Sequence, residues 1–400
     1  MSKFAVLVLG GALVWLAGCA TPEPQPPPDW SATNSVPQTN NQPASQPIPP
    51  MVDTNFLRLL ITNLVPEGKT NVPIPARTNV PNAVRTNFPP LIHTNQFVFY
   101  NVVPTHAPPV YSWTSLKRWA LEHKVDPPNL LTKSPLVTYS VGSPYGVMVL
   151  AIGIREATWN GVSLHLGFPP EIIDGEVYLH GLDLAKNFEP FLCDPPPAFA
   201  SNRVVVIDPG HGGVNAGTIG VNHRPEKEFT LDWARRLQPL LEEEGWQVVL
   251  TRTNDVDVAL SNRVALAESR HADLFISLHF NSAAPDPKPV GLATFCLSPV
   301  GMPSTITRGY PDVLFQNFPN NSFDAQNVQM AEHLQRSLLH STGLEDRGVN
   351  RARFIGVLRG QHRPSVLIEA GFLSNPHEAK RIESPEFRQK LAEAVAAALK

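Results

Sequence analysis

Val204-Val205-Val206-Ile207-Asp208-Pro209-Gly210-His211-Gly212-Gly213 is an unbroken apolar run that ends in a glycine-rich turn carrying a histidine. Four branched apolar residues in a row, with no polar alternation, read as a strand buried on both faces. The same form returns twice. Leu274-Phe275-Ile276-Ser277-Leu278 runs into His279, and Ser365-Val366-Leu367-Ile368 runs into Glu369. Trp246 to Leu250 is a further strand. Helical spacings lie between these runs. Phe229, Trp233, Leu237, Leu240 and Leu241 share one face, with Gly245 as a stop. Pro239 inside that pattern should kink or shorten the helix. Further helices are expected near 262–270 and 325–341, and a last one is opened by Ser384-Pro385. This alternation predicts an α/β domain over 200–400. Its sheet is mostly parallel and flanked by helices, with functional residues at the carboxyl ends of strands.

The rest of the 400-residue chain is unlike this. Of its 42 prolines, 19 fall before residue 110, so that quarter does not read as a packed domain. The formal net charge of -3 offers no basic surface for nucleic acid. The three cysteines, Cys19, Cys193 and Cys296, give no disulfide framework; the last two read as unpaired thiols.

Chemistry concentrates in four motifs: Asp208-Pro209-Gly210-His211-Gly212-Gly213, Glu226-Lys227-Glu228, Ser277-Leu278-His279-Phe280-Asn281, and Glu369-Ala370-Gly371-Phe372-Leu373-Ser374-Asn375. His211 and His279 each follow an apolar strand, so both can converge on one sheet edge. Glu226 precedes a helix and can reach the same edge. Two neutral imidazoles and one carboxylate suit a zinc ion with an open position for water, and Glu369 is left to move a proton. Asp208 or the backbone is expected to orient His211. Each residue alone has a plainer role: Glu226 favouring a helix N-terminus, Glu369 pairing with a cation. Their joint occurrence carries the reading.

Over about 203–400 these motifs, in this order, closely resemble the zinc-dependent N-acetylmuramoyl-L-alanine amidases of the bacterial cell-wall hydrolases. The resemblance implies one zinc ion held by His211, Glu226 and His279, with Glu369 as the catalytic carboxylate. It also implies substrate contacts at Arg359, in a Val-Leu-Arg segment, and at Asn281. Arg252 and Arg263 match family positions and suit structural pairing equally well. Glu228 and Ala370 depart from the usual residues outside the proposed zinc shell. Residues 299–327 are rich in Pro, Gly and Asn and read as loop.

At the N-terminus, Lys3 precedes a 13-residue apolar run, Phe4 to Leu16, too short to span a bilayer comfortably, and Leu16-Ala17-Gly18-Cys19 follows. This resembles a bacterial lipoprotein signal, with residues 1–18 removed and Cys19 lipidated. Ala20 then points to outer-membrane rather than inner-membrane sorting. Residues 19–108 repeat Thr-Asn every eight residues, at Thr54, Thr62, Thr70, Thr78, Thr86 and Thr94. Units this short cannot build a core, so the segment reads as an extended tether, reaching at most roughly 280 Å at polyproline rise.

Residues 109–195 regain globular character. A helix is expected over Trp113 to Ala120, followed by short strands and an Asn160-Gly161 hairpin turn. From about 136 to 192 the stretch is similar to the small α+β stalk module at the N-terminus of copper amine oxidases. His165 and His180 read as structural.

The whole chain then reads as a periplasmic, lipid-anchored hydrolase. Its substrate is the amide between N-acetylmuramic acid and L-alanine in peptidoglycan, and its membrane contact is lipidated Cys19. The sequence identifies no protein activator. Two other readings fit parts of the pattern: a non-catalytic peptidoglycan-binding lipoprotein, and a zinc peptidase acting on stem peptides.

Overall fold

The computed structural model describes residues 111–193, 203–306 and 311–400. The signal segment, the repeat segment and Cys19 lie outside the described residues.

Eight strands, a seven-residue helix and a short helical stretch from Gly181 to Phe191 make up the first part of the fold. Strand β1 (Trp113–Ser115) leads into helix α1 (Leu116–Glu122). Then come β2 (Asn129–Thr132), β3 (Thr138–Ser143), β4 (Gly146–Ala151), β5 (Glu156–Trp159), β6 (Val162–His165), β7 (Glu171–Ile173) and β8 (Glu176–His180). The helix expected from Trp113 begins three residues later. Trp113 to Ser115 pair antiparallel with Tyr178 to His180, and the Ser115 hydroxyl caps α1 by accepting from Arg118 N. Backbone pairing with β8 overrides the helical spacing of the two tryptophans.

The second part contains β9 (Val204–Pro209), α2 (Glu226–Glu243), β10 (Gln247–Leu250), α3 (Leu260–Ser269), β11 (Leu274–Asn281) and β12 (Leu292–Cys296). After these come α4 (Asp324–Thr342), β13 (Asp346–Arg351), α5 (Gly356–Arg359), β14 (Ser365–Phe372), α6 (Pro376–Glu383) and α7 (Pro385–Ala398). Pro239 does not end α2, which runs four residues beyond it. Leu237 and Leu241, fully buried on either side, hold that turn in place. Among the described residues no helix is long and apolar enough to cross a membrane.

β10, β9, β11 and β14 lie parallel, in that order. β12 joins β14 antiparallel, and β13 lies parallel to β12. Successive residues point to opposite faces, so each strand feeds two cores. Val205, Ile207, Ile276, Leu278, Val366 and Ile368 pack with Trp233, Leu334, Leu338 and Leu391 of α2, α4 and α7. Val204, Val206, Phe275 and Leu367 pack on the other side with Ala267, Val357 and Leu358 of α3 and α5. By the same alternation Asp208, His279 and Glu369 leave the sheet on this second face.

The sheet does not stop at β13. Val349 pairs in parallel with Leu164 of β6, and the β6-β5-β4-β3-β2 meander extends the order to eleven strands. Side chains reinforce the seam. Asp346 accepts from Ser163 N, and Arg351, only 1% exposed, donates to Asn187 Oδ1 and Lys186 O. Asp183 lies behind Asn187, accepting from its amide and from Gly167 N and Phe168 N.

Removing residues 109–202 strips β13 of a paired neighbour and Arg351 of its Asn187 and Lys186 acceptors. A 203–400 fragment is therefore expected to melt below a 109–400 fragment and to self-associate through the bared edge. Calorimetry and light scattering check this; equal melting of the two fragments would refute it.

Burial pushes the Asp183 carboxyl up to about 6, against the hydrogen bonds it accepts. A carboxyl raised in the folded state adds stability below its unfolded value of about 3.9 and loses it as pH rises through the folded value. Relative to Asp183→Asn, the wild type should therefore lose of order 3 kcal/mol between about pH 4 and pH 7. Urea unfolding of both proteins at the two pH values measures it, and a pH-independent difference counts against it.

Candidate metal centre

His211 lies just past the end of β9, in a left-handed conformation (φ 61°) that turns its ring back over the sheet edge. Glu226 is the first residue of α2, and His279 stands near the end of β11. The three side chains meet. Glu226 Oε2 is 3.1 Å from His211 Nε2, and Glu226 Oε1 is 2.9 Å from His279 Nδ1. One potential ligand atom from each lies within 4.8 Å of the others, and this is a group that could hold a metal ion.

Two close approaches make the meeting sterically possible. A Cβ on Gly210 would fall 2.2 Å from His279 Cε1, and one on Gly217 2.6 Å from Glu226 Oε2. Gly217 also has φ 68°, which glycine adopts without strain. Gly210 of the first motif and Gly217 beyond it thus serve the packing of the site.

The donor set fits zinc. Two imidazole nitrogens and one carboxylate are ligand types zinc takes, and one such atom from each residue lies within 4.8 Å of the others. Glu226 is 3% exposed and also accepts from Thr218 N and Phe280 N. Burial alone would raise its pKa, but the two imidazoles hold it well below the usual carboxylate range. Burial works against a charged His211, yet Glu226 outweighs it and holds that ring above its ordinary value. At His279 burial prevails, and the ring lies below its ordinary value.

Asn215, not Asp208, orients His211: its Oδ1 is 2.9 Å from His211 Nδ1 and also accepts from Gly217 N. Asp208 is taken up by other partners. It binds Thr251 Oγ1, Ser277 Oγ and, in a buried ion pair at 2.6 Å, Arg263. Arg263 also donates to His211 O and Pro209 O, while Arg252 donates to Pro209 O, Gly210 O and Lys227 O. Both arginines therefore brace the backbone of the histidine-bearing turn.

Glu369 stands opposite His279 in the β11–β14 pairing and is 1% exposed. Neither carboxylate oxygen has a hydrogen-bond partner among the described residues. Burial, then the charge of Glu226, pushes this carboxyl well above the usual range. The two residues expected to contact substrate, Arg359 and Asn281, make local contacts. Arg359 ends α5, donates through Nε to Arg353 O and lies over the Phe318 ring. Asn281 accepts from Ser282 N through its side chain and from Leu373 N through its carbonyl. The remaining cysteines are free thiols, and Cys296 is buried. The described parts of 299–318 carry no helix, α4 beginning at Asp324 after a short 3₁₀ turn.

The part of the chain that carries this cluster is also the part that is similar to known proteins. Residues 205–400 match the family model for N-acetylmuramoyl-L-alanine amidase. The chain is 32% identical over 216 residues to the amidase AmiA of Escherichia coli K12, covering 48% of this chain and 74% of that one. It is 33% identical over 242 residues to AmiC of Escherichia coli O6:H1, covering 54% of this chain but only 58% of AmiC. Among solved structures, AmiC2 of Nostoc punctiforme is 31% identical, covering 50% of this chain and 96% of that one, with a TM-score of 0.41. The chain belongs to the N-acetylmuramoyl-L-alanine amidase family, cell-wall hydrolases that are generally zinc-dependent.

Asn215→Ala should weaken metal binding by about 10- to 100-fold, the usual cost of losing a ligand's outer partner. Competition against a chelator reads this directly, and unchanged affinity would count against the role given to Asn215.

Proposed function

We propose that this protein hydrolyses the amide between the lactyl group of N-acetylmuramic acid and L-alanine in peptidoglycan, using one zinc ion held by His211, Glu226 and His279. The observation that carries the reading is a pair. A three-ligand cluster sits at the sheet edge, and an unpartnered buried carboxylate lies one strand away. Zinc bound there would lower the pKa of a water to about 7 and polarise the scissile carbonyl.

The chain's own residues do the rest. Glu369, undonated and desolvated, is a stronger base than a carboxylate in water. It takes a proton from the attacking water and delivers it to the alanine nitrogen as the C–N bond breaks. Asn215 fixes the His211 ring so that Nε2 faces the cluster. Arg252 and Arg263 keep the turn rigid during the cycle.

The same reading places the enzyme in the periplasm, anchored through lipidated Cys19 and sorted to the outer membrane after removal of residues 1–18. Residues 19–108 would serve as the tether, 109–195 as the stalk-like module and 200–400 as the catalytic domain. The substrate is an immobile polymer held at a distance from the membrane, which suits an anchored enzyme on a long spacer.

Residues 109–400, loaded with zinc and incubated with peptidoglycan, should release intact stem peptides bearing a free L-alanine amine. Glu369→Ala should cut this by about 10²- to 10⁴-fold with zinc content unchanged. Mass spectrometry identifies the products. Shortened stem peptides would mean a peptidase, and full activity in Glu369→Ala would remove that residue from the mechanism.

A further inference from the structure

Glu369 has no side chain or N–H to aim it, so its direction is set by the backbone of β14. That backbone is irregular just beyond it. His279 stands opposite Glu369 and Asn281 opposite Phe372, so two steps on β11 face three on β14. The surplus residue is absorbed at Ala370–Gly371, with Gly371 at φ 104°. A bulge of this kind re-aims the side chains around it and leaves a backbone group outside the ladder.

The Phe372 N–H is taken up by Glu378. Its Oε2 accepts from Phe372 N at 2.7 Å, and its Oε1 accepts from Gly291 N at 2.9 Å. Gly291 is the residue ahead of β12, whose Ala293 stands opposite Glu369 on the other side. One carboxylate, 5% exposed, thus ties the bulge to the strand flanking Glu369. The turn after the bulge has its own fastenings. Leu373 N donates to Asn281 O, Ser374 Oγ accepts from Ala283 N, and Asn375 caps α6 while donating to Pro287 O. Glu378 is left holding the bulge itself.

We infer that Glu378 is a positioning residue for Glu369, locking the β14 bulge so that an otherwise unsupported carboxylate faces the reacting amide. The inference rests on the reading of Glu369 as the proton carrier. Without Glu378 the buried Phe372 N–H has no acceptor, and the bulge is free to relax toward a regular ladder that turns Glu369 away.

The test uses the full chain, zinc-loaded, with solubilised glycan–peptide fragments as substrate. Glu378→Gln keeps one acceptor and turns a donor toward the other N–H. Its kcat should fall on the order of 10- to 100-fold, the effect of a small misplacement of a reacting group. KM and zinc content should not change. Leu338→Ala, which loosens the core between α4 and α7, should lower the melting temperature without this loss of kcat. The double variant Glu369→Gln/Glu378→Gln should be no slower than Glu369→Gln, because a misaimed group that is already removed costs nothing further. Should Glu378→Gln fail to fold, Glu378→Asp, too short to reach both N–H groups, carries the same test. Wild-type kcat in the Glu378 variant while Glu369→Gln is inactive overturns the positioning role alone. A Glu369→Gln enzyme that keeps its kcat overturns the reading beneath it. Loss of kcat matched by loss of zinc, or equalled by Leu338→Ala, also overturns the positioning role.

Discussion

Everything at the catalytic edge answers to one constraint: a carboxylate has been taken out of water and must be satisfied where it lies. Leaving Glu226 buried without partners would cost several kcal/mol at least. Four groups meet it: two imidazoles, Thr218 N and Phe280 N. Its place at the start of α2 adds the positive end of a helix. To bring those groups within reach, the loop after β9 must fold back over the sheet, and two positions must be bare of side chains, Gly210 and Gly217. Arg252 and Arg263 then take up the carbonyls that this tight turn leaves pointing inward. The motifs are separate in sequence but form one object in space.

How much of this could be read beforehand follows from what each residue does locally. The runs at 204–207, 274–278 and 365–368 announce strands because both their faces are buried, a condition that leaves mostly apolar residues with an occasional serine. β12 and β13 escape such a reading. Asp346 to Arg351 is polar, holding its place through backbone pairing with β12 and β6. Pro239 and Trp113 to Ser115 mislead for a related reason: local preference yields to tertiary packing on either side. In the site, histidines after strands stand out as residue types. Asn215 and Glu378 look like ordinary loop and helix residues. Their roles exist only once the His211 ring and the Phe372 N–H have been brought beside them, although Asn215, four residues after a histidine in a glycine-rich turn, offers a faint cue.

The contrast between the two carboxylates of the centre is instructive. Glu226 is surrounded by donors, which favour its charge; Glu369, one strand over, has none. The same sheet edge therefore holds a carboxylate kept ionised beside one made reluctant to ionise, which suits the division proposed above between binding a cation and carrying a proton. Environment alone separates them, since the residue type is the same.

The seam at β13 and β6 bears on how such proteins are assembled from parts. Modules joined by a linker can be exchanged as cassettes, because neither depends on the other's interior. Here the sheet itself passes from one region to the next, and Arg351 donates across the join to Asn187 Oδ1 and Lys186 O. A new neighbour grafted onto this catalytic region would have to supply both a strand edge in register with Val349 and uncharged acceptors for a guanidinium. The join is thus not a place where parts can be exchanged freely, because cutting there opens the common sheet and bares a guanidinium at once.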